Sequence, residues 1–193
     1  MKFQSDIDID FADRRKVMAV IDHVPASQLR DGQLIAHNTG VYVTDMPVDP
    51  ATGLAAIEYV SAEDRGYIKL DLLNVNLYQQ VRDEQHLTEL MQIDPDWDRF
   101  NTDQAFFEQL IHVNNHWRLL KQMPEPVDSI PRLAMFLAVI RPAKRNLAGR
   151  SWREVAGSVW EKDVDVYQFK KSHSISYSYL VVVNMNLLKE QGV

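Results

Sequence analysis

The chain has 193 residues, of which 46% are hydrophobic and 25% charged, with a net charge of −6 and no cysteine. Such a composition is typical of a globular protein with a sizeable core, and it excludes disulfides and thiolate metal sites. The acidic balance argues against a protein that binds nucleic acid over its whole surface, and the lack of a long apolar run argues against a membrane protein.

The first part of the chain predicts strands. Residues 3–11 alternate polar and apolar positions with period two, which is typical of a half-buried strand. Asp13 is a good N-cap for a helix whose apolar residues recur at helical spacing and which we expect to end at Pro25; these residues are Val17, Val20, Ile21 and Val24. Further strands are predicted at 40–46, 55–60 and 66–73.

Beyond residue 74 the pattern favours helices, with predicted ranges of 75–92, 102–122, 129–140, 151–160 and 171–189. Ser129 and Pro131 are a suitable start for the third of them. Strands followed by helices predict an α+β fold with helices packed on a sheet. We therefore expect one domain, 1–193, that is strand-rich over 1–74 and helical over 75–193.

The segment "SDIDIDFADRR", 5–15, contains closely spaced carboxylates. Asp6, Asp8 and Asp10 lie on one face of the predicted strand, where like charges repel. A divalent cation removes this conflict, and Mg²⁺ prefers oxygen ligands. The alternative is a solvated edge strand whose charges discourage aggregation.

The strand predicted at 66–73 carries Lys69 and Asp71 on one face and apolar residues on the other. If the two acidic strands are neighbours, Asp71 joins Asp8 and Asp10, and Lys69 lies beside them. Three carboxylates and a lysine suit two metal ions and a triphosphate. A Lys–Asp surface pair of little energetic value is the alternative.

These motifs resemble those of C-family bacterial replicative DNA polymerases, the polymerase III alpha subunits. "SDIDIDFADRR" is similar to their P-D-[FI]-D-[VIL]-D-F segment, and "DRGYIKLDLLNV" to the G-x-x-K-[FM]-D-[FL]-L-G-[LV] segment. Three more stretches follow the family's order: "AHNTGVYVTDMP" resembles K-H-A-G-G-V-V-I, "MFLAVIRPAK" resembles A-L-x-R-P-G, and "FKKSHSISYSYL" resembles F-N-K-S-H-[SA]-x-A-Y-A.

The resemblance implies a polymerase β-like nucleotidyltransferase palm that catalyses DNA synthesis. Asp8, Asp10 and Asp71 match the catalytic aspartates that hold two Mg²⁺ ions, for which Mn²⁺ can substitute, whereas Asp6 matches a residue that is not a ligand. The residues matching the family's nucleotide-binding positions are Lys69, Arg141, Lys171 and His173. The implied partners are a DNA primer-template and a deoxynucleoside triphosphate.

Several departures accompany this resemblance. Family polymerases are several times longer, so we expect no PHP nuclease domain, full fingers domain or clamp-binding domain. One of the family's paired glycines is Thr39 here, and the R-P-G glycine is Ala143. We expect a minimal palm of this kind to be encoded by a bacteriophage and to act in the cytoplasm of a bacterial or phage-infected cell. We also expect a protein partner that supplies the missing contacts with DNA. The alternative is a non-catalytic polymerase mimic that binds DNA or replication proteins.

The most basic segment is 141–153, in which Lys144, Arg145 and Arg150 are candidates for contact with a DNA backbone. A solvated loop and helix start is the competing interpretation. His112 and His116 have a metal-compatible spacing but no H-E-x-x-H motif, which favours a structural or surface role. His37 lies near a matched segment and is a candidate for the cleft.

Overall fold

A computed structural model describes residues 7–161 and 169–193, which form an α+β structure with a four-stranded mixed sheet. The chain divides into two compact units, Met1–Val81 and Arg82–Val193. The four strands of the sheet belong to the first unit. Our expectation of one domain over 1–193 stays a prediction, and Asp6 lies outside the described residues.

The sheet of the first unit has the strand order β1-β4-β3-β2. Its strands are β1 (Ile7–Phe11), β2 (Val24–Arg30), β3 (Gln33–Tyr42) and β4 (Leu70–Asn74). β1 pairs with β4 in parallel, and the other two pairings are antiparallel. The two strands that carry the predicted catalytic aspartates are therefore direct neighbours.

The prediction of a helix up to Val24 is wrong beyond its first turns. Helix α1 covers Arg14–Met18, with Asp13 as its N-cap as expected, but β2 begins at Val24. Val24 and Pro25 pair with Tyr42 and Val41, and this pairing overrides the local helical spacing. Val20, assigned to the apolar face, is 81% exposed.

A hairpin joins β2 and β3 through Asp31 and Gly32, which have φ angles of 51° and 77°. Both angles lie in the left-handed region that a type I′ turn requires, and Asp-Gly is a preferred sequence for it. Of the strand predicted at 40–46, residues 40–42 are the end of the longer strand β3, whereas 43–46 lie beyond it and are not in a strand.

The strand predicted at 55–60 is also wrong, because helix α2 covers Tyr59–Asp64. The Glu58 carboxylate caps this helix by accepting from the backbone N–H groups of Val60 and Ser61, at 3.0 and 2.7 Å. The strand predicted at 66–73 begins at Leu70 and continues to Asn74. One buried hydrophobic cluster of this unit contains Ala26, Tyr42, Met46, Ala55 and Ala62.

The second unit is helical. Its α-helices are α3 (Glu84–Gln92), α4 (Trp97–Thr102), α5 (Gln104–Phe107), α6 (Trp117–Leu120), α7 (Ile130–Val139), α8 (Trp152–Ser158) and α9 (Lys171–Glu190). The last three confirm the helices predicted at 129–140, 151–160 and 171–189. The helix predicted at 75–92 is divided into the 3₁₀-helix Asn76–Gln80 and α3, which starts after its N-cap Asp83. The helix predicted at 102–122 is broken into shorter pieces that include α5, which starts after its N-cap Asp103, and α6. Helix α4, with Asp96 as its N-cap, lies almost wholly before that range.

Helix α9 is the centre of this unit. Every residue from 180 to 187 is buried, so this part of the helix is covered on all sides. It packs against α3 and α7, and the buried Asn186 amide donates to the carbonyls of Leu90 and Ile93 at 2.8 and 3.0 Å. Within the described part of the chain, no helix combines the length and hydropathy of a membrane span.

Candidate functional site

The acidic face of the sheet consists of Asp8, Asp10 and Asp71. The register of the parallel pair places Asp8 opposite Asp71 and Asp10 opposite Leu73. Cross-strand partners have side chains on the same face, and so do residues two apart on a strand. The strand pairing on which the sequence prediction depended is therefore confirmed, while the catalytic role of these aspartates stays a prediction.

This arrangement disfavours the charged form of the Asp10 carboxyl. Burial, and then the charge of Asp8, raise the pKa of the Asp10 carboxyl above its ordinary value. Burial and the charge of Asp10 likewise raise the pKa of Tyr78, in the 3₁₀-helix Asn76–Gln80 that follows β4. A cation bound to the acidic face would relieve the smaller part of both shifts, which comes from a neighbouring negative charge.

The Asp71 carboxylate is engaged through both of its oxygens. Its Oδ2 is ion-paired with the Lys69 ammonium, and its Oδ1 accepts from the Thr39 hydroxyl at 2.7 Å. The side chains of Lys69 and Asp71 are 18% and 12% exposed, so this ion pair is largely shielded from water. Lys69 also lies over Tyr59, with Nζ 5.8 Å from the ring centroid.

His37 fixes the stretch of β3 that carries Thr39. Its Nδ1 accepts from the backbone N–H groups of Gly40 and Thr39, at 2.9 and 3.4 Å. An accepting Nδ1 places the ring proton on Nε2, which describes a neutral imidazole. Burial, and then the Lys69 charge, lower the pKa of His37, while Asp71 opposes them. The charge that balances Asp71 therefore comes from Lys69.

Gly40 allows these groups to approach closely. It lies opposite Asp71 across the β3–β4 pair and is buried. A Cβ atom at this position would be 2.7 Å from Lys69 Cδ and 2.9 Å from His37 Nδ1. Gly40 is the position of the resembled paired-glycine segment that is glycine in this chain. The packing of Lys69 requires a glycine there.

The carboxylates of the acidic face suit a hard cation in their chemistry. Among the described residues, however, no group of three or more His, Cys, Asp or Glu side chains is assembled to hold a metal ion. The contacts of Asp71 give the physical reason, because its oxygens face Lys69 and Thr39.

Two of the predicted nucleotide-binding residues lie together in the second unit, around Phe169. The Arg141 guanidinium lies 4.6 Å from the Phe169 ring centroid, and the His173 ring centroid lies 6.3 Å from it. Tyr177 stacks on Phe169 at 5.4 Å, and His112 stacks on Tyr177 at 4.3 Å. Arg141 Nε is buried and has no hydrogen-bond partner among the described residues.

The two histidines with metal-compatible spacing are not assembled as metal ligands among the described residues. Burial, and then Arg141, lower the pKa of His112 to about 4. Burial, Arg145 and Arg141 lower the pKa of His116. His112 has a φ of 67°, so its backbone adopts a conformation that is uncommon outside glycine.

The other predicted cationic residues differ in how far their side chains are already bound to other groups of the protein. Lys171 begins α9 and is exposed, with Nζ 6.0 Å from the Trp160 ring centroid. Lys144 donates to the carbonyls of Ser158 and Glu161 at 3.1 and 2.8 Å, and Arg145 donates to that of Ile140 at 2.7 Å. Arg150 is exposed. Contact of these residues with DNA stays a prediction.

Sequence reasoning missed three residues of the Asp71 environment, namely Thr39, Gly40 and Tyr59. Thr39 was noted for the glycine that it replaces, whereas its hydroxyl is bound to Asp71. The polar "HNTG" stretch inside a strand was the available signal.

The second unit holds a comparable omission. The Phe169 ring lies against Arg141 and His173, and the Tyr177 ring stacks on Phe169, but neither aromatic residue was predicted to belong to the site. They flank the "KKSHSIS" segment on its two sides. The predicted residues thus occur as an acidic set with Lys69 in the first unit and, in the second, as Arg141 and His173 around Phe169 with Lys171 against Trp160.

Comparison with known proteins assigns no family to this chain: no protein-family model, curated protein or solved structure matches it.

Proposed function

We propose that this chain is a metal-dependent nucleotidyltransferase with a polymerase III alpha-like palm. In this reaction a DNA 3′-hydroxyl oxygen forms a bond to the α-phosphorus of a deoxynucleoside triphosphate, and the α–β phosphate bond breaks to release pyrophosphate. The observation that carries the proposal is the parallel pairing that sets Asp8 beside Asp71, with Asp10 next along the same face. The order of the five motifs in the sequence supports it.

The residues present fit Mg²⁺ in chemistry but not as a preformed cage. Asp8, Asp10 and Asp71 offer carboxylate oxygens on one face, and the raised pKa of Asp10 marks a place where positive charge is favourable. Bound Mg²⁺ supplies Lewis acidity toward the 3′-hydroxyl and the leaving pyrophosphate. Mn²⁺ also accepts these ligands.

The proposed tasks of the cationic residues follow from their chemistry. Lys69, released from Asp71, offers a point charge to a phosphate oxygen. Arg141 offers a planar guanidinium that holds phosphate through two parallel hydrogen bonds. In the second unit, Lys171 and His173 are further proposed nucleotide-binding residues, and Lys144, Arg145 and Arg150 are the proposed contacts with DNA. A protein partner in a bacterial or phage-infected cell would add the missing grip on DNA.

A second candidate is a non-catalytic module that mimics part of a polymerase and binds DNA or replication proteins. The engagement of both Asp71 oxygens favours it, because Lys69 and Thr39 already satisfy this carboxylate without a metal. The two candidates differ in whether divalent cations and nucleotides bind to the acidic face.

The test is the thermal unfolding midpoint with and without Mg²⁺ or Mn²⁺ and a deoxynucleoside triphosphate. We compare the wild-type chain with Asp8→Asn, and with Asp22→Asn as a control at an exposed aspartate of the same unit. A ligand that binds only the folded state stabilises it, by about 2.7 kcal/mol at one hundred times its Kd.

A rise in the midpoint in wild type and Asp22→Asn, but not in Asp8→Asn, would support the metal-nucleotide site. Primer extension with the same variants would then test nucleotidyl transfer. Equal midpoints with and without ligands in all three proteins would contradict the enzyme proposal and favour the binding module.

A further inference from the structure

We propose that Lys69 is a built-in counter-ion of Asp71 that a divalent cation must displace, and that Thr39 is the positioning residue that keeps Asp71 oriented during this exchange. This inference rests on the proposed function, because it concerns the same acidic face. It adds a competition between a protein ammonium and the metal, and a task for a threonine that stands at a glycine position of the resembled segment.

Lys69 is held in place along the whole of its side chain. Its stem crosses the backbone of β3 at Gly40, where an added Cβ would lie 2.7 Å from Lys69 Cδ. Its ammonium is ion-paired with Asp71 and lies over the Tyr59 ring. With 18% of its side chain exposed, this lysine is packed in place, in contrast to the mobile lysines of protein surfaces.

The two oxygens of the Asp71 carboxylate have different partners. Thr39 donates to Oδ1 at 2.7 Å, and Lys69 occupies Oδ2. Thr39 is neutral and its backbone N–H donates to His37 Nδ1 at 3.4 Å, whereas Lys69 carries the charge with which a cation competes. A cation arriving at the acidic face therefore competes with Lys69 for Oδ2, while Thr39 holds Oδ1 from the side of β3.

The Lys69 ammonium and a divalent cation are both positively charged. Lys69 and a divalent cation repel each other at close range, so both cannot occupy Oδ2. Once displaced, the Lys69 ammonium needs a new anion, and a substrate phosphate satisfies this need. The consequence is that metal binding and phosphate binding favour each other through one side chain. In the absence of both ligands, the ion pair balances the charge of Asp71.

The test measures Mn²⁺ affinity by electron paramagnetic resonance in wild type, Lys69→Met and Lys16→Met. Lys16 is the matched control, because it is an exposed lysine of α1 in the same unit. We expect Lys69→Met to bind Mn²⁺ about tenfold more tightly than the other two proteins, since a competing charge is gone. At saturating Mn²⁺ it should bind the triphosphate about tenfold more weakly, since a charge-assisted contact is gone.

Thr39 is tested with Thr39→Val and Thr39→Ser. We expect Thr39→Val to weaken Mn²⁺ binding and Thr39→Ser to restore it, because serine keeps the hydroxyl. If Lys69→Met does not fold, Lys69→Gln is used instead. As an independent measurement, the NMR resonance of the Lys69 ammonium in wild type should shift when Mg²⁺ is added.

The outcomes separate this inference from the proposed function. Equal Mn²⁺ affinity in wild type and Lys69→Met, abolished in Asp8→Asn, would overturn the counter-ion proposal and leave the metal site standing. A Thr39→Val variant that binds Mn²⁺ as wild type does would overturn the positioning role. Absence of Mn²⁺ binding in every variant would overturn the metal site itself, and the counter-ion proposal with it.

Discussion

Replacing Gly40 by alanine should destabilise the first unit, because the added methyl group has no space. The built Cβ lies 2.7 Å from Lys69 Cδ, 2.9 Å from His37 Nδ1 and 3.0 Å from Ala26 Cβ. Carbon atoms in favourable contact are about 3.5–4.0 Å apart. Ala26 lies in the buried core and His37 accepts two backbone hydrogen bonds, so neither can yield cheaply.

The size of the effect follows from two opposing contributions. Overpacking in a tight core costs about 1–3 kcal/mol. The φ angle of Gly40 lies outside the left-handed region, so alanine keeps its usual advantage of about 0.4–1 kcal/mol from a less flexible unfolded chain. The net loss is therefore about 1–2 kcal/mol, which lowers the unfolding midpoint of a unit this small by roughly 5–15 °C.

The assay is thermal and urea unfolding followed by circular dichroism, with Gly157→Ala as the control. Gly157 lies in α8 and a Cβ there meets no atom within 4 Å, so alanine should stabilise that helix by about 0.5–1 kcal/mol. Gly40→Ala should cost less in a Lys69→Ala background than in wild type, because the nearest atom is then absent. A Gly40→Ala midpoint equal to or above that of wild type would refute the packing argument.

Three other changes give separate tests. Asp10→Asn should raise the midpoint at neutral pH, because the raised pKa of Asp10 means that its charged form destabilises the folded state; the gain should shrink as the pH falls toward the ordinary aspartate pKa of about 3.9, and a gain independent of pH would contradict this. His112 should titrate near pH 4 by NMR; because its pKa is lowered, the second unit should lose stability as the pH falls from about 6.5 through that value, and a normal titration would count against its burial beside Arg141. Ser151→Ala should cost about 1 kcal/mol in urea unfolding, since Ser151 and Glu154 form a capping box, and an unchanged midpoint would show that the box contributes nothing.

The elements that could be predicted are those whose signals are local. Ser151 with Glu154, and the long apolar pattern after Lys171, mark α8 and α9 within a few residues of their observed bounds. The Asp31-Gly32 pair was an equally local signal for the β2–β3 hairpin, and it was overlooked. The helix predicted up to Val24 failed for another reason, because the partner of Val24 is Tyr42 and no local pattern shows this pairing.

The candidate site shows the same division. Alternating aspartates on one predicted strand, and Lys69 with Asp71 on another, were sufficient to expect a shared acidic face. The contacts of Asp71 with Thr39 and of Gly40 with Lys69 depend on the register between β3 and β4, which the sequence pattern does not determine. The grouping of Arg141, Phe169 and Tyr177 likewise requires the packing of residues far apart in the chain.

The central position of α9 has a consequence for synthesis on the ribosome. The core of the second unit contains Val181, Val182 and Met185, and Asn186 satisfies carbonyls of Leu90 and Ile93, nearly one hundred residues upstream. Helices α3 and α7 emerge before α9, so the faces that pack against α9 remain uncovered until it follows. The sheet of the first unit is complete at Asn74 and does not share this delay. During translation, the acidic face can therefore form while the second unit still awaits its central helix.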